Sequence, residues 1–489
     1  MRPSLRNWMI IITAVISCSL FFFIGTGGEM GFPLDDAWIH QTYARNLAEN
    51  GRWEYRAGEA SAGSTSPLWT LLLTGGYFLK GLMLPEIWSF LLGLAALVGT
   101  ALLGERFARK NNEGYNRQPF PWVGWFLILE WHILWAAGSG METVWIAFAC
   151  LLVIYLAGLE QPMTSLWTGL AVGGAVWLRP EGITLVGPVL LILVLRKDPM
   201  KTRLLRIGLV VVGLILPLAG YFWLNHQLAG TILPSTFFAK QSEYQSLLAI
   251  PLPSRVGSLL MAILAGGGFL LVPGCLFELR PFYWRRNPSL LAAGLWITGF
   301  VLIYALRLPV TYQHARYLIP VLPVYIVLGI SGFERLFTLA QRKSRLWKIV
   351  TRAWLGATIL TTLAFWVMGV QALRDDIRFI RETVVETVFW VEDNLPDNTV
   401  IATHDIGALG YLTDRPFIDI AGLVNPEVIA IIDEMDGLGA YLDARNVDVL
   451  MTFPQGYETL VAGKEILYET GQTIGGAYQG LNMVVYRWR

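Results

Sequence analysis

The sequence predicts a polytopic α-helical membrane protein that carries a small α/β domain at its C-terminal end. Hydrophobic residues make up 54% of the 489 positions and charged residues only 15%, a composition that excludes an ordinary soluble enzyme. Long apolar runs recur along residues 1–370, most of them near the roughly 20 residues that a helix needs to cross a bilayer. From residue 371 to 489 the runs are shorter, and 19 acidic residues outnumber 8 basic ones. We therefore divide the chain at residue 371.

About eleven apolar runs are predicted to span the membrane. Clusters of Lys and Arg separate them in pairs, as expected if each cluster lies in a cytoplasmic loop. Arg2 and Arg6 precede the first run, so the N-terminus is expected in the cytoplasm and the C-terminal domain outside. The first run is long for a cleavable signal peptide and lacks a convincing cleavage site, which favours an anchor. The predicted spans are 8–25, 86–105, 120–137, 142–158, 165–178, 182–195, 207–224, 256–275, 289–306, 318–333 and 353–370.

One further apolar run, Ser66 to Leu79, is predicted to be a helix at the outer membrane surface. Ser66 and Pro67 form a helix-start signal, but the run has only about 14 residues, roughly 21 Å of helix. It is too short to cross comfortably. The first exoplasmic loop is therefore expected to cover residues 26–85.

That loop begins with an acidic pair, Asp35-Asp36, about ten residues beyond the first span. A helix is predicted from Ala37 to Glu49, with Ile39 and Tyr43 on a stripe that faces the membrane. A carboxylate at this place can act as a general base toward a hydroxyl, and two carboxylates offer an incomplete ligand set for a divalent cation. The alternative is that Asp36 only caps the helix and Asp35 is solvated.

The other charged or polar candidates are His40, in the first loop, and several residues of the later exoplasmic loops. Basic side chains there can hold a phosphate, and acidic ones can orient the basic ones. Structural alternatives remain for four of them: Arg179 and Glu181 can form an ion pair, Glu142 can cap a helix, and Arg316 can extend toward the membrane surface. The candidates are His40, Glu142, Arg179, Glu181, Lys240, Tyr312, His314 and Arg316.

The acidic tail is expected to combine an amphipathic helix, Ile377 to Glu392, with short strands and intervening helices. His404-Asp405 precedes a glycine-containing turn; one His and one Asp are no complete metal-ligand set, so a structural role is favoured. Strands are predicted at 400–403, 417–420, 447–452 and 483–486.

Several motifs in these loops resemble the GT-C superfamily of glycosyltransferases that use polyprenyl-phosphate sugars. The bacterial members similar to mycobacterial terminal arabinofuranosyltransferases are most alike, and protein O-mannosyltransferases and lipid A aminoarabinose transferases less so. The tail, including His404–Gly410 and Phe417–Leu423, resembles the exoplasmic domain of many bacterial members. The motifs in the membrane part are Asp35-Asp36, Asn46–Gly51, Gly63–Trp69, Gly140–Thr143, Arg179–Gly182 and His314–Pro320.

The resemblance implies an inverting glycosyltransferase of the bacterial cytoplasmic membrane. Asp35 or Asp36 would be the catalytic base, and Arg316, with His314 and Lys240 as further candidates, would hold the donor phosphate. The expected partners are the lipid bilayer, a polyprenyl-phosphate-linked sugar and a glycan, lipid or protein acceptor, without nucleic acid. The resemblance leaves the sugar and any divalent cation undetermined. A lipid-linked glycan flippase and a non-catalytic glycan-binding assembly protein are the alternatives.

Overall fold

The structure, a computed structural model, describes residues 3–56, 58–79, 84–112, 120–432, 434–471 and 478–489. Within these ranges six helices are long and apolar enough to cross a membrane, and seven if one sharply bent pair counts as a single span. The predicted polytopic helical fold is confirmed. The six helices are Pro3–Thr26, Pro85–Asn111, Met200–Ala229, Pro288–Arg307, Tyr312–Gln341 and Arg345–Asn394.

Shorter helices pack between the long ones and coincide with the other predicted spans. Two predicted spans are interrupted. The helix predicted at 120–137 is broken at Glu130, whose carboxylate accepts hydrogen bonds from His132 and from the Ile133 amide. The span predicted at 256–275 is bent by 99° around residues 265–267. The shorter helices are Trp122–Leu129, Trp131–Gly138, Thr143–Ala157, Thr164–Leu178, Val186–Leu195, Leu252–Leu264, Gly268–Glu278 and Pro281–Trp284, with a 3-10 turn at Pro180–Leu185.

The first loop folds against the protein rather than against lipid. Its helix, Asp35–Asn50, ends at Gly51 in the left-handed conformation, as the Asn-Gly signal predicts. Tyr43 is fully buried, and its hydroxyl lies 2.5 Å from the Ser61 hydroxyl, so the predicted membrane-facing stripe is wrong. The helix instead packs between the tail and a second loop helix, Pro67–Phe78. A short hairpin of β1 (Glu54–Arg56) and β2 (Glu59–Ala60) connects the two loop helices.

The tail contains a mixed five-stranded sheet in the order β4-β3-β5-β7-β6. β3 pairs parallel with β4 and β5, whereas β7 is antiparallel to β5 and β6. Four of these strands lie at the predicted places; β6 was not predicted. The strands are β3 (Ile401–Thr403), β4 (Phe417–Asp419), β5 (Val449–Thr452), β6 (Ile466–Glu469) and β7 (Val484–Arg487), and the helices are Gly407–Leu412, Met435–Ala444 and Glu458–Val461, with a 3-10 turn at Pro426–Ala430.

The tail is joined to the last long helix without a break. The helix Arg345–Ile380 continues through a π-helical turn, Arg381–Val385, into Glu386–Asn394. The boundary at residue 371 lies inside this helix and stays a prediction. The tail contacts the first loop through its helix Gly407–Leu412, which packs against Asp35–Asn50. Between the spans, the helix Ser235–Glu243, the 3-10 turns Gln245–Ala249 and Arg316–Val321, and a turn at Tyr312–Ala315 face the same region.

Candidate active site

The two neighbouring aspartates have different partners. Asp35 is buried, and its carboxylate accepts hydrogen bonds from the amides of Gly407 and Ala408 at 2.6 and 2.7 Å, where a tail helix begins. Residue 407 has to be glycine because an added Cβ would lie 2.0 Å from the Asp35 carbonyl oxygen. Burial, together with the charge of Asp405, raises the pKa of Asp35 to about 7. Asp35 therefore attaches the tail to the first loop.

Asp36 faces the later loops and contacts Arg316. Its Oδ2 lies 2.5 Å from Nη2 of Arg316, across 280 positions of sequence. Burial alone would raise the pKa of Asp36, but the charges of Arg316 and Lys240 outweigh it and hold the pKa below its usual range. The alternative in which Asp36 only caps its own helix is wrong, since the side chain makes no capping hydrogen bond.

Arg316 is positioned by an unusual backbone turn. Gln313, His314 and Ala315 all have φ between 52° and 56°, the left-handed region that residues with a Cβ rarely adopt. Such strain is found mainly at functional sites, where surrounding structure maintains it. The turn directs the buried Arg316 toward Asp36. Nη2 of Arg316 also lies 3.3 Å from the Tyr317 hydroxyl, but Nε and Nη1 have no hydrogen-bond partner among the described residues.

Asp36 and Arg316 both line a cavity of about 390 Å³, the inner cavity. Lys240 extends into it from the helix Ser235–Glu243, with Nζ 3.0 Å from Glu243. The inner cavity thus brings together the predicted base, Asp36, and two predicted phosphate ligands, Lys240 and Arg316, from three separate parts of the chain. The polar members of the lining are Asp36, His40, Thr65, Glu142, Arg179, Glu181, Thr236, Lys240, Gln241, Tyr304, Arg307, Arg316 and Tyr317, and the apolar members include Ile39, Met141, Phe237, Ile303, Leu308 and Leu423.

One wall of the inner cavity is a network of ion pairs. Arg179 donates to the fully buried Glu142 at 2.9 Å and to Glu181 at 3.1 Å, and the hydroxyl of Tyr304 donates to Glu181 at 2.6 Å. His40 lies 3.6 Å from the second oxygen of Glu142. Burial lowers the pKa of His40, which favours a neutral imidazole. The structural alternative for Arg179 and Glu181, an ion pair, is thus observed.

Two other candidates lie outside the inner cavity. His314 points away from Arg316, and its Nε2 lies 2.8 Å from Oδ2 of Asp376, which also accepts from Trp135 at 2.7 Å. The hydroxyl of Tyr478 contacts the same carboxylate. Tyr312 stacks on Tyr244 with ring centroids 5.3 Å apart. The structure therefore separates His314 from the other predicted phosphate ligands.

Sequence reasoning missed Asp376 and Tyr457, and it favoured a structural role for His404-Asp405. Asp375-Asp376 follows the last predicted span much as Asp35-Asp36 follows the first, so the same criterion would have found it. The tail also contributes to a second cavity of about 650 Å³, the outer cavity. It shares Asp36, Lys240 and Arg316 with the inner cavity and is completed by residues of the tail, among them His404, Asp405 and Tyr457.

The acidic pair does not form a shared metal site. Asp35 is directed to the tail amides and Asp36 to Arg316, so their oxygens do not converge. Across the ranges that the structure describes, no group of three or more His, Cys, Asp and Glu side chains is arranged to hold a metal ion.

Comparisons with known proteins identify the fold. Residues 373–486 match the family model of a domain of unknown function, DUF8728, and no curated protein sequence matches the chain. ArnT from Cupriavidus metallidurans, solved with bound undecaprenyl phosphate, aligns over 98% of both chains at 15% identity and a TM-score of 0.58. The Archaeoglobus fulgidus oligosaccharyltransferase AglB, solved with an inhibitory peptide and a dolichol-phosphate, aligns at 11% identity and 0.59, over 97% of this chain and 74% of that chain.

The apo form of the Archaeoglobus fulgidus oligosaccharyltransferase aligns over 97% of this chain and 76% of that chain, at 10% identity and a TM-score of 0.64. Identities this low bear on the fold alone. These alignments extend over the membrane helices and the tail together. The fold that the loop motifs led us to expect is therefore confirmed, and the chain shares it with ArnT and the archaeal oligosaccharyltransferase along nearly its whole length.

Proposed function

We propose that this chain is a glycosyltransferase that moves a sugar from a polyprenyl-phosphate donor to an acceptor hydroxyl. One observation carries the proposal: Asp36, Lys240 and Arg316 all line the inner cavity, and two buried donor atoms of Arg316 have no hydrogen-bond partner among the described residues. Buried guanidinium groups with free donors are well suited to phosphate oxygens. Two structures with the same fold were solved with undecaprenyl phosphate and with a dolichol-phosphate bound, which supports a lipid-linked donor.

In the proposed reaction Asp36 is the general base. The acceptor oxygen attacks the anomeric carbon, its proton passes to Asp36, and the bond between the anomeric carbon and the phosphate oxygen breaks. A single displacement of this kind inverts the anomeric configuration. Arg316 and Lys240 stabilise the charge that develops on the departing phosphate. We assign proton transfer to Asp36 rather than to Asp35, whose two oxygens both accept amide hydrogens from the tail.

Donor binding would also activate the base. Without a ligand, Arg316 and Lys240 keep the pKa of Asp36 low, so the carboxylate is ionised but only weakly basic. A phosphate bound to the same two cations would compensate their charge and raise the pKa of Asp36 toward neutrality. The carboxylate would then accept a proton more readily. The proposed order is therefore donor first and acceptor second.

The ion-pair wall would fix the shape of the donor site. Arg179 is held by two carboxylates, which leaves it less able than Arg316 to bind a phosphate. We assign Arg179, Glu142 and Glu181 a positioning role and the phosphate contacts to Arg316 and Lys240. The basic clusters of the sequence predict that the site opens on the exoplasmic face of the membrane, and the resemblance implies the cytoplasmic membrane of a bacterium.

The test is a reconstituted assay with purified protein in liposomes and a radiolabelled polyprenyl-phosphate sugar, in the presence of cell-envelope extract. The expected result is a labelled glycoside together with free polyprenyl phosphate. A protein with Asp36→Asn serves as the matched control and should form no product. Movement of intact donor across the liposome membrane, or retention of the donor without bond cleavage, would instead identify a flippase or a binding protein and refute the proposal.

A further inference from the structure

The outer cavity lies between the first loop, the long helix that leads into the tail, and the tail itself. Its volume of about 650 Å³ is within the range of small-ligand pockets, roughly 300–1,000 Å³. Asp36, Lys240 and Arg316 line it as well as the inner cavity. A hydroxyl presented from the outer cavity and an anomeric carbon held in the inner cavity would thus meet at Asp36.

Aromatic rings supply much of the outer cavity wall. Tyr244 and Tyr312 stack on each other, and Phe379 stacks on Phe453 with an interplanar angle of 18°. Tyr457 joins them, and all five side chains are half-buried. The face of an aromatic ring is the negative part of its quadrupole and attracts the weakly positive C–H groups of an apolar ring face. A pyranose or furanose ring offers such a face and surrounds it with hydroxyls.

The charged groups that Lys240, Glu243, His404 and Asp405 bring to the outer cavity are paired with one another rather than free. Lys240 lies 3.0 Å from Glu243, while His404 lies 3.8 Å from Glu243 and 3.7 Å from Asp405. Gln313 adds a side-chain oxygen that has no hydrogen-bond partner among the described residues. Paired carboxylates still accept hydrogen bonds through their remaining lone pairs. The cavity therefore offers many hydrogen-bonding atoms without a strong net charge.

We propose that the outer cavity binds the acceptor and that the acceptor is a neutral saccharide. The inference rests on the proposed function and narrows its acceptor to one chemical class. A cationic peptide is disfavoured because the cavity carboxylates already have cationic partners. An anionic glycan is disfavoured because the tail carries 19 acidic residues against 8 basic ones. Stacking rings combined with paired hydrogen-bonding groups match a neutral sugar.

The test measures binding separately from transfer. Glycans and peptides released from the cell envelope are fluorescently labelled, separated into neutral glycan, acidic glycan and peptide fractions, and passed over the immobilised full-length protein. The variants are Tyr457→Ala, whose ring lines the outer cavity, and Tyr468→Ala as the matched control. Tyr468 stacks on Trp390 elsewhere in the tail and is outside both cavities. Binding of undecaprenyl phosphate is recorded for each protein as a check of the inner cavity.

We expect retention of neutral glycans, weakened at least tenfold by Tyr457→Ala and unchanged by Tyr468→Ala, with undecaprenyl phosphate binding preserved in both. Retention of only peptides or acidic glycans, equal effects of the two variants, or no retention at all would overturn the inference. If saccharides bind in this way but no donor is ever cleaved, the proposed function fails and the saccharide site stands. If the donor is cleaved and saccharides are not retained, the proposed function stands and the saccharide site fails.

Discussion

Asp36 and Arg316 are separated by 280 positions of sequence, yet their side chains meet at 2.5 Å. Each of the two residues affects the charge state or the hydrogen bonding of the other. The arginine keeps the carboxylate ionised, and the carboxylate uses one of the donor atoms of the arginine while Nε and Nη1 remain unpaired. Because both residues line both cavities, the contact lies where a donor phosphate and an acceptor hydroxyl would come together. The first three predictions concern this pair.

Asp36→Asn should reduce transfer by about 10²–10⁴-fold, the usual contribution of a general base, because the amide has nearly the same shape but cannot take the proton. Initial rates of glycoside formation measure the effect. Asp393→Asn, at an exposed position of the tail, is the control and should retain full activity. If the Asp36→Asn protein transfers sugar at the wild-type rate, Asp36 is not the general base.

Arg316→Lys should raise the KM for the donor tenfold or more. Lysine keeps the charge but loses the planar set of donors, and a hydrogen bond to a charged group contributes about 1.5–3 kcal/mol. Arg415→Lys provides a matched buried control, since Arg415 is held by Glu392 and by backbone carbonyls in the tail. That variant should be less stable and leave the donor KM unchanged. Equal donor KM values in the wild type and Arg316→Lys would contradict the phosphate assignment.

Lys240→Met should shift the acidic limb of the pH–rate profile to higher pH. Only the ionised Asp36 accepts a proton, so activity is present above its pKa and is lost as the pH falls through it. Lys240 is one of the two cations that lower this pKa, and its removal raises it. The measurement is kcat/KM for the donor as a function of pH. Lys464→Met, in a residue that contacts Trp488 far from both cavities, should leave the limb in place. If the acidic limb of the Lys240→Met profile lies at the same pH as in the wild type, the pKa of Asp36 does not depend on the charge of Lys240.

Asp35→Asn should loosen the attachment of the tail. The amide can accept only one of the two backbone hydrogens and directs its own N–H groups at the other, which costs about 1–3 kcal/mol. Faster amide hydrogen exchange at Gly407 and Ala408 would report the loosening. Asp36→Asn is the control here, since its side chain makes no contact with those amides. Unchanged exchange in Asp35→Asn would mean that this carboxylate does not hold the tail.

The pKa of Asp35 predicts a second consequence of that contact. Burial, with help from Asp405, raises the pKa from 3.8 to about 7. Between these values the folded protein keeps a proton that the unfolded chain has lost, so the contribution of Asp35 to the free energy of unfolding decreases as the pH rises from 3.8 to about 7. Thermal unfolding at several pH values should show this decrease in the wild type and not in Asp35→Asn. If stability depends on pH in the same way in the wild type and in Asp35→Asn, this prediction is contradicted.

Local sequence was sufficient for the polytopic helical fold and for most strands of the tail. Apolar runs of helical length, basic clusters and the Asn50-Gly51 stop signal are local properties, and they need no knowledge of distant contacts. The interruption at Glu130 was not predicted because it depends on a single side chain that forms hydrogen bonds to the next turn. The stripe of Ile39 and Tyr43 was predicted to face lipid because an apolar helix face has the same sequence pattern whether lipid or protein covers it.

The sequence by itself determined that two adjacent carboxylates follow the first span and that basic side chains occur in later loops. Only the tertiary structure decided that Asp35 binds the tail amides, that Asp36 binds Arg316, and that His314 turns away to Asp376. The physical reason is that successive side chains on a helix project about 100° apart, so neighbours in sequence face different surroundings. What each one meets is set by segments hundreds of residues away, which fold against the first loop.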